Sequence, residues 1–255
     1  MFTALVCGIL LRPPVVTAEP VTVRHTEGVV HGFLVLRTLE GQTLAAGETI
    51  QFSQRGRVTN RLVFHFKDGS THDETAVYSQ RGGFRLLKYH LVQKGPSFPR
   101  KLDVSIGAPA GQVTVRYSED GTEKVATERM DLPLDLANGL VLTLLKNIGP
   151  DTLPAKFSMI AATPKPRLVK LEVTSAGKQS FSLGGLTREA THYVVKVQIG
   201  GVTGLIAPLL GKQPPDHHVW VVGGEAPGFV KSEGTLYLGG PSWRIELASL
   251  VWPKR

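Results

Sequence analysis

Four side chains in the first half of the chain could do chemistry together: His65, His72, Glu74 and His90. Imidazole nitrogens and a carboxylate are the donor types that hold zinc or another divalent ion, and such an ion can activate water for hydrolysis. Their grouping depends on two turns. Asp68-Gly69 lies between the alternating runs Arg61 to Phe66 and Thr71 to Gln80. A two-residue turn there sets His65 opposite His72 and Val63 opposite Glu74. A three-residue turn at Arg81-Gly82-Gly83 then brings His90 beside Glu74, whereas a two-residue turn sends it to the other face. The competing expectation is a solvated polar face opposite an apolar face made of Leu62, Phe64 and Phe66.

Other reactive groups offer less. His217-His218 follows Pro214-Pro215-Asp216, and tandem residues of an extended chain point to opposite sides, so one ion cannot easily use both. Ser182 lacks the leading Gly of a nucleophile elbow, and the chain has no phosphate-binding or dinucleotide-binding glycine loop. Asp73-Glu74 and Glu225 are the carboxylates to weigh for glycoside chemistry, and adjacent acids are more often a solvated strand pair. These features predict no catalytic residues and no cofactor.

The elements that must position these groups are mostly strands. Alternating runs separated by turn residues continue from Val29 to Arg129, and a second Asp-Gly, at Asp120-Gly121, closes another hairpin before Glu123 to Met130. At Asp131 the period changes to about 3.6: Leu134, Ala137, Val141, Leu144, Leu145 and Ile148 share one helical face. The spacing predicts a buried apolar helix over about 131–148, capped by Asp131, with Pro133 in its first turn and Gly149-Pro150 as its stop. Strands resume at Ala155 to Ala162, Leu168 to Thr174 and His192 to Ile199. Short runs at Val219 to Val222, Thr235 to Leu238 and Trp243 to Leu247 end the chain among Gly and Pro.

The fold expected is therefore mainly β, an antiparallel curved sheet or half-barrel around one buried helix. Residues 19–255 are read as a single β-rich domain. Such a sheet encloses either a filled core or a hydrophobic cavity, and Leu140, Leu144, Phe157 and Met159 are the residues that would line a lipid or acyl site.

Residues 1–18 read as a secretory signal, with the apolar run Ala4 to Leu11 and the small-residue ending Val16-Thr17-Ala18. The run is too short to span a bilayer. Cys7, the chain's one cysteine, lies within it, so the remainder has no thiol for disulfides, thiolate metal sites or nucleophilic catalysis. The net charge of +8 is dispersed along strands rather than clustered with aromatics, which argues against nucleic acid as a partner. The expected location is exported, periplasmic or extracellular.

In its order of elements the chain resembles the half-barrel of the bacterial lipoprotein-localisation carriers LolA and LolB and related envelope proteins. It departs from them in offering one helix. The resemblance implies a non-enzymatic envelope protein, with an apolar ligand or another envelope protein as partner. The alternatives are the metal-dependent hydrolase above and a β domain for adhesion or assembly through exposed edge strands.

Overall fold

The computed structural model describes residues 19–183, 185–198 and 214–248. The secretory-signal reading falls outside them. Fourteen antiparallel strands form one curved, unclosed sheet, as the alternating pattern implies. In chain order they are β1 (Val30–Thr38), β2 (Thr43–Gln54), β3 (Arg57–Phe66), β4 (Thr71–Arg81), β5 (Gly83–Lys94), β6 (Leu102–Gly107), β7 (Gln112–Glu119) and β8 (Thr122–Arg129). After the helix α1 (Val141–Asn147) come β9 (Ala155–Ala161), β10 (Arg167–Leu183), β11 (Leu186–Gln198), β12 (His217–Val222), β13 (Gly228–Thr235) and β14 (Ser242–Leu247).

Each strand pairs with its sequence neighbour, and β1 pairs with β14, so the one break in the ring falls between β8 and β9. The segment joining those two strands carries α1 and folds into the concavity. Its side chains Leu136, Ala137, Leu140, Leu144, Leu145 and Ile148 are buried in one cluster with Val58, Tyr78, Phe84 and Val104 from one wall. Phe157, Val173, Val195 and Val219 join from the other wall. A second, aromatic cluster of Phe64, Phe66, Phe98 and Trp243 sits with Leu34 and Leu36 where the two halves of the sheet meet.

The helix is shorter than its apolar period predicts, because Asp131 to Leu140 is not helical. Leu136 bridges Ser158 in parallel, and the Ala137 N–H donates to the Ser158 carbonyl at 2.8 Å. Asn138 imitates a strand residue: its Nδ2 donates to Ile160 O at 3.0 Å, and its Oδ1 accepts from Ile160 N–H at 2.9 Å. The open margin of β9 thus offers these residues hydrogen-bond partners that a helix would forfeit. Gly139 follows at φ +68°, where a Cβ would lie 2.7 Å from that of Ala76. Leu140, not Asp131, is the residue at the helix N-terminus. Helical spacing identified most of what is buried, with Leu134 exposed instead and Val141 only half-buried, and the neighbouring strand edge decided how.

Two further boundaries differ from expectation. Thr235 to Leu238 is the end of β13 and the turn into β14, because β13 itself runs through the polar sequence Gly228–Thr235. β10 and β11 pair through to Leu183↔Leu186, well beyond the last β12 pairing at Ala190↔Val222. That outer ribbon is mostly exposed, and with no core to face it has no apolar alternation to announce it.

Candidate functional site

The hairpin between β3 and β4 decides which side chains enter the concavity. Its loop has three residues, Lys67, Asp68 and Gly69, closed by a 2.9 Å bond from Phe66 N–H to Ser70 O. Gly69 alone takes a left-handed conformation, at φ +85°, as in a type I turn followed by a bulge. The Asp68 carboxylate accepts the Ser70 N–H at 2.9 Å and the Ser97 hydroxyl at 2.7 Å, fixing the wider loop. Those bonds hold its carboxyl below the usual range.

The pairing that follows is His65↔Thr71, Phe64↔His72 and Leu62↔Glu74, one residue away from that of a two-residue turn. Cross-strand partners share a face, so His72 and Glu74 follow Phe64 into the concavity while His65 stays outside. The turn after β4 pairs Arg81 with Gly83, matching a three-residue Arg81-Gly82-Gly83 turn. A bulge at Leu87 on β5, opposite Val77 and Tyr78, then shifts the register, and His90 lies opposite Thr75 on the convex face. There its Nε2 is 3.2 Å from Asp103. The sequence-predicted metal group is therefore split, two members inside and two outside. Among the described residues no three His, Cys, Asp or Glu side chains gather as metal ligands would.

What the concavity holds instead is a polar band on β4 and β5. His72 is buried, and Gln93 Nε2 donates to its Nδ1 at 3.0 Å and to Leu236 O at 2.7 Å. With Nδ1 accepting, the ring proton is on Nε2, which has no hydrogen-bond partner among the described residues. Burial drives the His72 pKa down to about 4, against the opposing charge of Asp73, so the ring is neutral. Glu74 accepts from Tyr89 Oη at 2.8 Å, and burial raises both their pKa values. The aromatic cluster lies on one side of this band, with Phe64 in contact distance of His72 at 6.2 Å between ring centroids. Tyr89 belongs to the helix cluster on the other side.

The sequence-predicted lining residues behave alike. Leu140, Leu144 and Phe157 are fully buried within the helix cluster, and Met159 is half-buried against it. They are packed together with the segment that fills the concavity. That segment is fastened to the sheet by polar ties that sequence reasoning missed. Lys146 Nζ lies 2.5 Å from Glu27 Oε1, and Gln51 Nε2 donates to Glu27 Oε2 at 2.9 Å. Tyr78 Oη lies 3.2 Å from the Thr143 hydroxyl. Asn147 Oδ1 accepts from the backbone N–H groups of Arg24 and His25 at 2.9 and 2.7 Å. The residues before β1 thus strap the helix in place. Only the pairing of a polar strand interior such as Gln51 with a polar helix turn could have signalled it.

The tandem histidines separate as an extended chain requires. His217 points inward against the Gly234 backbone, and burial pushes its pKa down to about 4. His218 faces outward, its Nδ1 2.9 Å from His192 Nε2, and His192 stacks on Trp220 at 4.2 Å. Lys231 lies over the same indole at 4.1 Å and pairs with Glu233, which Arg244 also holds at 2.8 Å. Asp73, on the convex face, is clamped by Arg61 Nε and Nη2 at 3.0 and 2.6 Å. Glu225 lies exposed in the turn before β13, and Ser182 is exposed on the outer β10–β11 ribbon.

No family model and no curated protein matches the chain. Among solved structures it is similar to a β-barrel-like protein of a domain of unknown function, DUF1849, from Brucella abortus. That likeness has 11% identity over 88% of this chain and 98% of that one, with a TM-score of 0.49. It is also similar to the hypothetical lipoprotein YmcC from Escherichia coli, at 14% identity over 87% and 86% of the two chains, with a TM-score of 0.37. Among the described residues no helix is long and apolar enough to cross a membrane.

Proposed function

We propose that the chain is an exported, non-enzymatic protein of the bacterial envelope that holds an acyl or similarly amphipathic ligand in the concavity of its sheet. The observation that carries this reading is the His72 Nε2–H, a buried donor without a partner among the described residues, set between two apolar clusters. A buried polar hydrogen left unbonded costs about 1–3 kcal/mol, a cost that an ester or carboxyl oxygen of a bound ligand would remove. The apolar tail would take the place of the strapped helix segment, whose ties to Glu27, Gln51 and Tyr78 are polar and can be exchanged for water. The secretory reading of residues 1–18 supports export.

The test is titration with a fluorescent fatty acid. The native chain is expected to bind it saturably and His72→Leu at least about tenfold more weakly. The same substitution exchanges the unbonded Nε2–H for a Gln93 N–H that has lost its acceptor, so thermal stability should change little. A native chain that fails to bind, or a His72→Leu variant that binds as well as native, overturns the reading. Replacing Leu144 by a charged residue tests the tail, with Leu144→Met as the variant that keeps the fold if the charge does not.

A further inference from the structure

The sheet has two open margins, and the fold treats them differently. The outer margin of β9 is covered by Asp135 to Ala137. Among the described residues no strand lies along the outer margin of β8, where Thr122 to Val125 are all exposed and Val125 is 57% accessible.

Which backbone groups β8 offers follows from its turn. The β7–β8 hairpin closes on Glu119↔Thr122 around Asp120 and Gly121, both at positive φ (51° and 73°). A two-residue turn makes its flanking pair a hydrogen-bonded one. Thr122, Lys124, Ala126 and Glu128 therefore turn their N–H and C=O groups toward β7. The Met130 N–H bond to Gly111 O at 2.8 Å continues that alternation. Glu123, Val125, Thr127 and Arg129 turn theirs to solvent.

Charged side chains on an edge usually discourage pairing. On β8 they are arranged in a self-complementary order. In an antiparallel pair of two β8 strands centred on Ala126, Glu123 meets the other copy's Arg129, Lys124 meets its Glu128, and Val125 meets its Thr127. Each contact occurs twice. The outward backbone groups fall opposite one another in this register, and cross-strand charges of opposite sign sit on the same face. Centring on Val125 instead pairs Glu123 with Thr127 and Lys124 with Ala126, and centring on Thr127 pairs Val125 with Arg129 and Ala126 with Glu128. Neither neutralises any charge. The existing pairs of Lys101 with Glu123 and of Lys124 with Glu119 are exposed and cheap to exchange.

We propose that two copies of this chain associate edge to edge through β8, antiparallel about Ala126, continuing the sheet from one copy into the other. This stands independently of any ligand in the concavity. Sedimentation of the full chain over a range of concentrations tests it. The native protein is expected to show a reversible monomer–dimer equilibrium. Val125→Pro removes an outward N–H that β7 does not use, so the fold should persist while the dimer is lost. Glu128→Lys sets lysine against lysine twice across the axis and should weaken the dimer at least about tenfold. Adding Lys124→Glu to that variant should restore association to within a few-fold. A native chain that is monomeric at every concentration overturns the proposal. So does a dimer indifferent to Val125→Pro, or a double reversal that restores nothing.

Discussion

The same dipeptide, Asp-Gly, turns the chain between β3 and β4 and again between β7 and β8, yet it makes two different turns. At Asp120-Gly121 both residues are left-handed and two residues span the gap. At Asp68-Gly69 only the glycine is left-handed, and Lys67 joins the loop. What surrounds the aspartate accounts for the difference. Asp68 is bound by Ser70 and Ser97, whereas among the described residues no hydrogen bond to the Asp120 side chain competes with the tight turn. The extra residue moves every partner on β4 by one. It sends Tyr78, Ala76 and His72 inward as a set. A turn signal read from sequence says where the chain reverses, and the residue count within the loop, which decides the face, depends on contacts from elsewhere.

Shifting β4 by one residue against β3 should have the largest effect. Deleting Ser70 while Lys67, Asp68 and Gly69 remain the loop sets Phe66 opposite Thr71, a slip that would carry the fully buried Tyr78 to the convex face. Loss of that one core aromatic costs about 3–5 kcal/mol. The deletion is expected to abolish cooperative thermal unfolding followed by circular dichroism. A cooperative transition at native temperature would show that the sheet, not the loop, sets the register.

Acid should act next, through the histidines that the three-residue loop and the β12 pairing bury. His72 and His217 have folded pKa values of about 4, below the 6.5 of an exposed imidazole. Between those values the unfolded chain binds protons that the folded chain does not, so stability falls as pH drops from about 6.5 toward 4. Each histidine contributes up to about 3 kcal/mol to that fall. Denaturant midpoints across this window measure it. His72→Leu should flatten the profile by one histidine, and an unchanged profile would mean that the ring is not buried neutral.

Much of this architecture was legible in the sequence because one-sided strands must alternate. Leu62, Phe64 and Phe66 were read on one face, and they lie there, two of them in the aromatic cluster and Leu62 packed against it. The apolar period from Leu134 to Ile148 marked the segment that enters the concavity. It could not show that Asn138 and Leu136 would pair with β9, since that depends on where a strand margin is left open. The metal grouping failed for the same kind of reason. One residue in a loop and one bulged residue on β5 separate His65 and His90 from His72 and Glu74, and neither leaves a mark on local composition. The His72–Gln93–Leu236 chain joins residues 143 apart in sequence at its far end, beyond the reach of any pattern within a strand.

The smallest expected effect separates the two turns by where the strain is felt. Gly69→Ala and Gly121→Ala each place a Cβ at positive φ with nothing within 4 Å to meet it, so each costs about 1 kcal/mol of backbone strain. The β3–β4 loop lies between strands that carry Phe64 and Tyr78, and its strain should lower the global unfolding temperature. The β7–β8 loop holds an edge strand with no buried side chain. Its opening does not require the sheet to unfold, so Gly121→Ala should leave that temperature nearly unchanged and instead speed amide hydrogen exchange over Thr122 to Arg129. Equal shifts in unfolding temperature for the two variants would mean that β8 melts together with the rest of the sheet.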